Sequence, residues 1–138
     1  PISRADLMSW GPGAHGSTYG GNPVSCAAAL ATLDLVEGGL MAHAETVGER
    51  FTAGLRAIAA EHPETIREVR GRGLMIGMGM RDHDTSVAFE MAAFRRGLLV
   101  LSCGDDAVRM APPLVLREDQ VDTALAHIRE TVAEVARA

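Results

Sequence analysis

The spacing of hydrophobic positions changes repeatedly along this chain, and each change marks a new element. Residues 1–14, with Trp10, Gly11, Pro12 and Gly13, read as an extended piece followed by a loop. Over residues 23–37 the sequence is alanine-rich, with Leu30, Leu33, Leu35 and Val36 placed so that nearly every side of a helix is apolar. Such a helix needs cover on several sides, and without neighbours it should present exposed apolar surface. Gly38 and Gly39 end it. Over residues 40–61 a single stripe takes over: Ala44, Val47, Phe51, Leu55 and Ile58 recur at helical steps, which predicts an amphipathic helix closed by Pro63. Residues 66–70 and 74–80 read as strands around a glycine-rich bend. Gly71, Gly73, Gly77 and Gly79 are too many for a comfortable interior strand and predict a close approach of other backbone. Residues 84–96 form a third helix in this reading, capped by Asp82 or Asp84, with Val87, Met91 and Phe94 on one face and Gly97 at its end. A hairpin of residues 98–101 and 107–110 surrounds Gly104-Asp105-Asp106, and Pro112 and Pro113 forbid its continuation. The last helix, residues 118–136, carries Val121, Leu125, Ile128, Val132 and Val135 as its stripe. This order implies an α+β fold, a small antiparallel sheet covered by helices.

Composition narrows the class. A chain of 138 residues can bury roughly two thirds of its unfolded surface, so a real core is possible. With 47% hydrophobic and 22% charged residues it is globular, and no apolar run approaches the ~20 residues of a membrane span. A net charge of −5 without a basic cluster argues against nucleic acid and anionic membrane surfaces. Cys26 and Cys103 are far apart, which suggests free thiols in a reducing compartment. Nothing reads as a signal peptide, so a cytoplasmic protein with small-molecule or protein partners is expected. His15, His43, His62, His83 and His127 share no ligand spacing; they read as loop or helix-surface residues, and no metal site is expected.

The stretch His15-Gly-Ser-Thr-Tyr-Gly-Gly-Asn-Pro23 concentrates candidate chemistry. Asn22 is a good N-cap and Pro23 suits the first helical position. The N–H groups of that first turn, the glycines and the hydroxyls of Ser17 and Thr18 together suit an anion. An ordinary turn with a helix cap uses the same residue types. Arg109 is the other candidate: its guanidinium matches a carboxylate with two parallel bonds, and Val108, Met110 and the prolines would hold it in a partly dry place. The plain alternative is a solvated arginine at a strand end. All 13 basic side chains are arginine; the chain has no lysine.

Four blocks in order carry a family resemblance: His15 to Pro23 with Val24-Ser-Cys-Ala-Ala-Ala-Leu30 behind it; Val69-Arg-Gly-Arg-Gly-Leu-Met-Ile-Gly77; Gly97-Leu-Leu-Val-Leu-Ser-Cys-Gly104; and Val108-Arg-Met-Ala-Pro-Pro-Leu114. Together they resemble the later part of class III (omega-type) pyridoxal-phosphate aminotransferases, with a lean toward 4-aminobutyrate or ornithine types. The resemblance implies the C-terminal small domain of a fold type I enzyme: residues 1–22 a remnant of the large domain with the phosphate loop, 23–37 the connecting helix, 38–138 the small domain. It implies a pyridoxal 5'-phosphate cofactor, with Thr18 and less surely placed Ser17 at its phosphate, Thr18 reaching the partner subunit's site in a homodimer with shared active sites. Tyr19 would border the substrate entrance, and Arg109 would bind a substrate α-carboxylate or pair with a glutamate. The substrates implied are an amino-acid or ω-amine donor and a 2-oxo acid acceptor.

In this family a lysine holds the cofactor as a Schiff base and shuttles protons. No such residue exists here, so the chain alone should hold no catalytic residue and be inactive. The segment opening at Pro1 resembles the family's sequence just after that lysine, and the partner implied first is the chain's own N-terminal half. In the same reading the glycines of residues 71–79 approach the large domain. Arg70 and Arg72 sit beside glycines and could bind anions, with structural pairing across a domain boundary the favoured alternative. Alternatives are a same-scaffold aminomutase, racemase or decarboxylase, and a non-catalytic α+β assembly module.

Overall fold

Asn22 starts the first helix by giving its side-chain oxygen to the helix: Oδ1 accepts the N–H groups of Val24 at 3.0 Å and Ser25 at 3.2 Å. The computed structural model describes residues 4–137, and the opening residues of the segment likened to the post-lysine sequence lie outside them. The chain divides into two units, Pro1–Leu35 and Val36–Ala138. In the first, turns lead to α1 (Pro23–Leu35), which has no buried residue. Leu30 is 63% and Leu35 65% exposed, the uncovered apolar helix expected from its composition. Trp10 and His15 stack in the preceding loop, ring centroids 5.2 Å apart.

The second unit opens with a wide helical turn, Val36–Leu40, broken at Gly39 (φ 151°). It continues through α2 (Met41–Glu61), β1 (Ile66–Arg72), β2 (Met75–Met80), α3 (His83–Arg95), β3 (Leu101–Cys103), β4 (Ala107–Met110) and α4 (Glu118–Val135). The strands form one antiparallel sheet in the order β1-β2-β4-β3. The fold is α+β, with a four-stranded antiparallel sheet and helices. Val47, Phe51, Leu55 and Ile58 of α2, Ile76 and Met78 of β2, and Val121, Ile128 and Val132 of α4 meet in the core. Each fully buried large apolar side chain among them contributes about 1.5–3 kcal/mol of hydrophobic stabilisation.

Three expectations change. The α3 face of Val87, Met91 and Phe94 is exposed, Phe94 to 62%; the helix buries Thr85, Ser86, Phe89, Ala92 and Ala93 instead. Large apolar residues at helical spacing mark an apolar face without saying what covers it, and here the sheet takes the Phe89 side. The glycine-rich bend does meet close backbone, but from this chain: a Cβ on Gly48 of α2 would lie 2.2 Å from the Gly73 carbonyl oxygen. A Cβ on Gly71 would likewise lie 2.5 Å from the Met75 carbonyl oxygen of its own hairpin. Finally, the helical run Pro23–Glu61 holds an 18-residue window of mean hydropathy 1.4, which by length and composition alone would suffice for a membrane span. A helix covered by protein passes the same test.

Candidate cofactor and substrate site

The hydroxyl loop lies in the first unit. Turns at Gly20 N–H to Ser17 O (3.2 Å) and Asn22 N–H to Tyr19 O (3.1 Å) fold it back onto the start of α1. Gly21 sits at φ 79°, the left-handed region where a side chain would be strained. Among the described residues, no side-chain hydrogen bond engages the Ser17 or Thr18 hydroxyls, and Tyr19 is 79% exposed. The first-turn N–H groups are not open to a ligand as the sequence suggested. Asn22 accepts those of Val24 and Ser25, and its carbonyl accepts that of Cys26 at 2.9 Å. What the loop offers an anion is therefore its hydroxyls and turn backbone.

Arg109 lies in the second unit. Strand register sets Arg70, Gly77, Arg109 and Leu101 in one row across the sheet. Alternation along β4 buries Val108 and Met110 and turns Arg109 outward, so it is exposed rather than partly dry. Arg70 in that row is paired with Glu68, within its own strand and not across a boundary. Arg109 and Arg72 have no ion pair among the described residues. Gly77, directly opposite Arg109, leaves the neighbouring position without a side chain.

Arg109 lines a groove of about 1780 Å³ whose apolar wall includes Met75, Met91, Phe94, Leu99 and Leu101. That exceeds the ~300–1,000 Å³ of a small-ligand pocket, so this surface is large enough to seat protein as well as substrate. The exposed face of α3 thus has a place in the groove wall. Glu90 lines it too, and sequence reasoning gave no signal for it: its oxygen Oε2 accepts both the N–H (2.7 Å) and the hydroxyl (2.5 Å) of Ser102. Those bonds, the hydroxyl's first, hold the Glu90 carboxyl below its ordinary range.

No described group of His, Cys, Asp and Glu suits a metal ion. His43 is not simply a surface residue. It is half-buried, with Nε2 donating to the Leu116 carbonyl at 2.9 Å.

With this geometry in hand, the family model for class-III aminotransferases matches residues 2–132. The chain belongs to the class III aminotransferase family. It is 33% identical over 135 residues to an acetylornithine aminotransferase of Caldanaerobacter subterraneus subsp. tengcongensis, covering 97% of this chain and 34% of that one. It is 39% identical over 134 residues to an ornithine aminotransferase of Geobacillus sp., covering 96% of this chain and 32% of the relative. Among solved structures it resembles a lysine aminotransferase from M. tuberculosis, with TM-score 0.81 and 31% identity over 90% of this chain and 29% of the other. The chain spans about a third of the length of these relatives.

Members of this family depend on pyridoxal phosphate. The donors of the Ser17–Thr18 loop fit its phosphate end, since both hydroxyls are uncommitted and Gly21 provides the turn. The residues present do not fit its aldehyde end, which requires an amine, because the chain has no lysine.

Proposed function

We propose that this chain is the C-terminal part of a pyridoxal-phosphate-dependent aminotransferase that moves an amino group between an amino acid or ω-amine and a 2-oxo acid. The family match over residues 2–132, with Arg109 unpaired in its groove, carries the reading. The names of the relatives favour a donor of the ornithine or N-acetylornithine kind, and all of those compared are aminotransferases, which favours transfer over mutase or decarboxylase chemistry. In this reading residues 1–22 belong with the large domain, 23–37 connect, and 38–138 form the small domain.

When bound, pyridoxal phosphate supplies the electron sink for charge developing on the substrate carbon. Ser17 and Thr18 donate hydroxyls to its phosphate, Thr18 in the partner subunit's site. Tyr19 borders the substrate entrance. Arg109 takes the α-carboxylate in its planar fork and fixes the substrate's orientation. The apolar groove wall, covered by the rest of the protein, excludes water and so strengthens that pair. The amine that bonds the cofactor comes from outside these 138 residues.

The uncovered surface of α1 supports a homodimer with shared sites, and the free thiols Cys26 and Cys103 support a reducing, cytoplasmic setting. The missing lysine would equally suit a non-catalytic assembly module. Assaying the full-length protein, loaded with pyridoxal phosphate, decides between them. Amino transfer is expected, and Arg109→Ala should lower kcat/KM about ten- to a hundredfold for donors carrying an α-carboxylate, and less for amines without one. Absence of transfer in the wild type overturns the reading, and equal losses for both donor kinds make Arg109 structural.

A further inference from the structure

The strand beside Arg109 is held from outside the sheet. β3 has only three residues and lies at the sheet edge, where a short strand is weakly fixed and its outward N–H groups lack ladder partners. Its central residue, Ser102, commits both N–H and hydroxyl to the Glu90 carboxylate, at 2.7 and 2.5 Å. The ladder to β4 then pairs Ser102 with Val108 and Leu101 with Arg109. A carboxylate acceptor makes these bonds stronger than neutral ones. Glu90 therefore ties α3 to the strand that flanks Arg109, from within the same groove.

We propose that Glu90 is a positioning residue for Arg109: by fixing Ser102 it fixes the β3–β4 ladder, and with it the place from which the guanidinium meets a substrate carboxylate. This rests on the reading of Arg109 given above. Glu90 touches neither substrate nor cofactor in this role. It acts through Ser102 and the backbone.

The test compares Glu90→Ala and Glu90→Gln in the full-length, cofactor-loaded protein, because a glutamine oxygen can accept the same two bonds without the charge. Amide hydrogen exchange at Ser102 and Arg109 is read beside KM and kcat for a donor with an α-carboxylate and an amine without one. Glu90→Ala should speed exchange at both amides about tenfold and raise KM for the carboxylate donor about tenfold, with kcat and the amine donor changed less than about twofold. Glu90→Gln should restore most of both. Unchanged exchange, equal effects on the two donors, or glutamine as damaging as alanine overturns the proposal. A wild type that transfers no amino group sinks the reading of the reaction; exchange alone then decides whether Glu90 holds the ladder, faster exchange supporting it and unchanged exchange overturning it.

Discussion

Gly48 and Gly73 meet backbone to backbone, helix α2 against the β1–β2 turn, so closely that a Cβ on Gly48 would stand 2.2 Å from the Gly73 carbonyl oxygen and 2.7 Å from its Cα. Backbone cannot swing aside as a side chain can. Gly48→Ala should therefore separate the helix from the hairpin and cost about 1–3 kcal/mol in urea unfolding. Gly38→Ala, where a Cβ meets nothing within 4 Å, is the control and should change little. Equal stability of the two variants would contradict the contact.

On α3 two phenylalanines five residues apart should behave oppositely. Phe89 is fully buried, and Phe89→Ala should cost about 3–5 kcal/mol. Phe94 is 62% exposed, and in this chain Phe94→Ala should stay within about 0.5 kcal/mol. A reversed order in thermal or urea unfolding would mean that the helix is rotated.

Asp82 gives α3 a pH-dependent start. Its carboxylate accepts the Thr85 hydroxyl at 2.5 Å and the Thr85 N–H at 2.8 Å, with Arg81 alongside at 3.0 Å. These bonds, the Thr85 hydroxyl's first, lower its pKa from 3.8 to about 2. A carboxylate with a depressed folded-state pKa contributes fully above the unfolded value and loses that contribution as pH falls through the folded one. Asp82→Ala should lower Tm at neutral pH, and the gap to wild type should close between about pH 4 and pH 2. A gap unchanged across that window would show that the charge is irrelevant.

Thr18 should serve the partner subunit's site. In the full-length protein, one variant lacks the cofactor-binding lysine. The other carries Thr18→Val with any neighbouring change needed to abolish phosphate binding. If Thr18 works across the dimer, a mixed dimer has one site with both defects and one with neither, so activity returns on subunit exchange. If it serves its own chain, no site is intact and mixing restores nothing.

The stripes on α2 and α4 were legible because each helix buries one long apolar row, α2 against the sheet and α4 against α2 and α3. The α3 face was not: Val87, Met91 and Phe94 look like core from spacing alone, while the buried side is built of Thr85, Ser86 and two alanines around Phe89. The glycines signalled a close approach, but sequence does not reveal that Gly48, more than twenty residues upstream, is one surface that Gly73 meets. Among the candidate residues, the types of Ser17, Thr18 and Arg109 drew attention to them. The use of the first-turn N–H groups by Asn22, the outward turn of Arg109 and the hold of Glu90 on Ser102 depend on register and rotamer, which spacing does not encode.

The most direct test of the central claim, that this chain contributes contacts to a pyridoxal-phosphate site but not the amine that bonds the cofactor, is borohydride reduction followed by peptide mapping. Borohydride fixes the cofactor to whichever amine it has condensed with. In the full-length protein the label should fall on one lysine outside these 138 residues, and the isolated chain should gain no label on an internal residue and transfer no amino group. A label on an internal residue of this chain, or turnover of an amino donor by the chain alone, would contradict it.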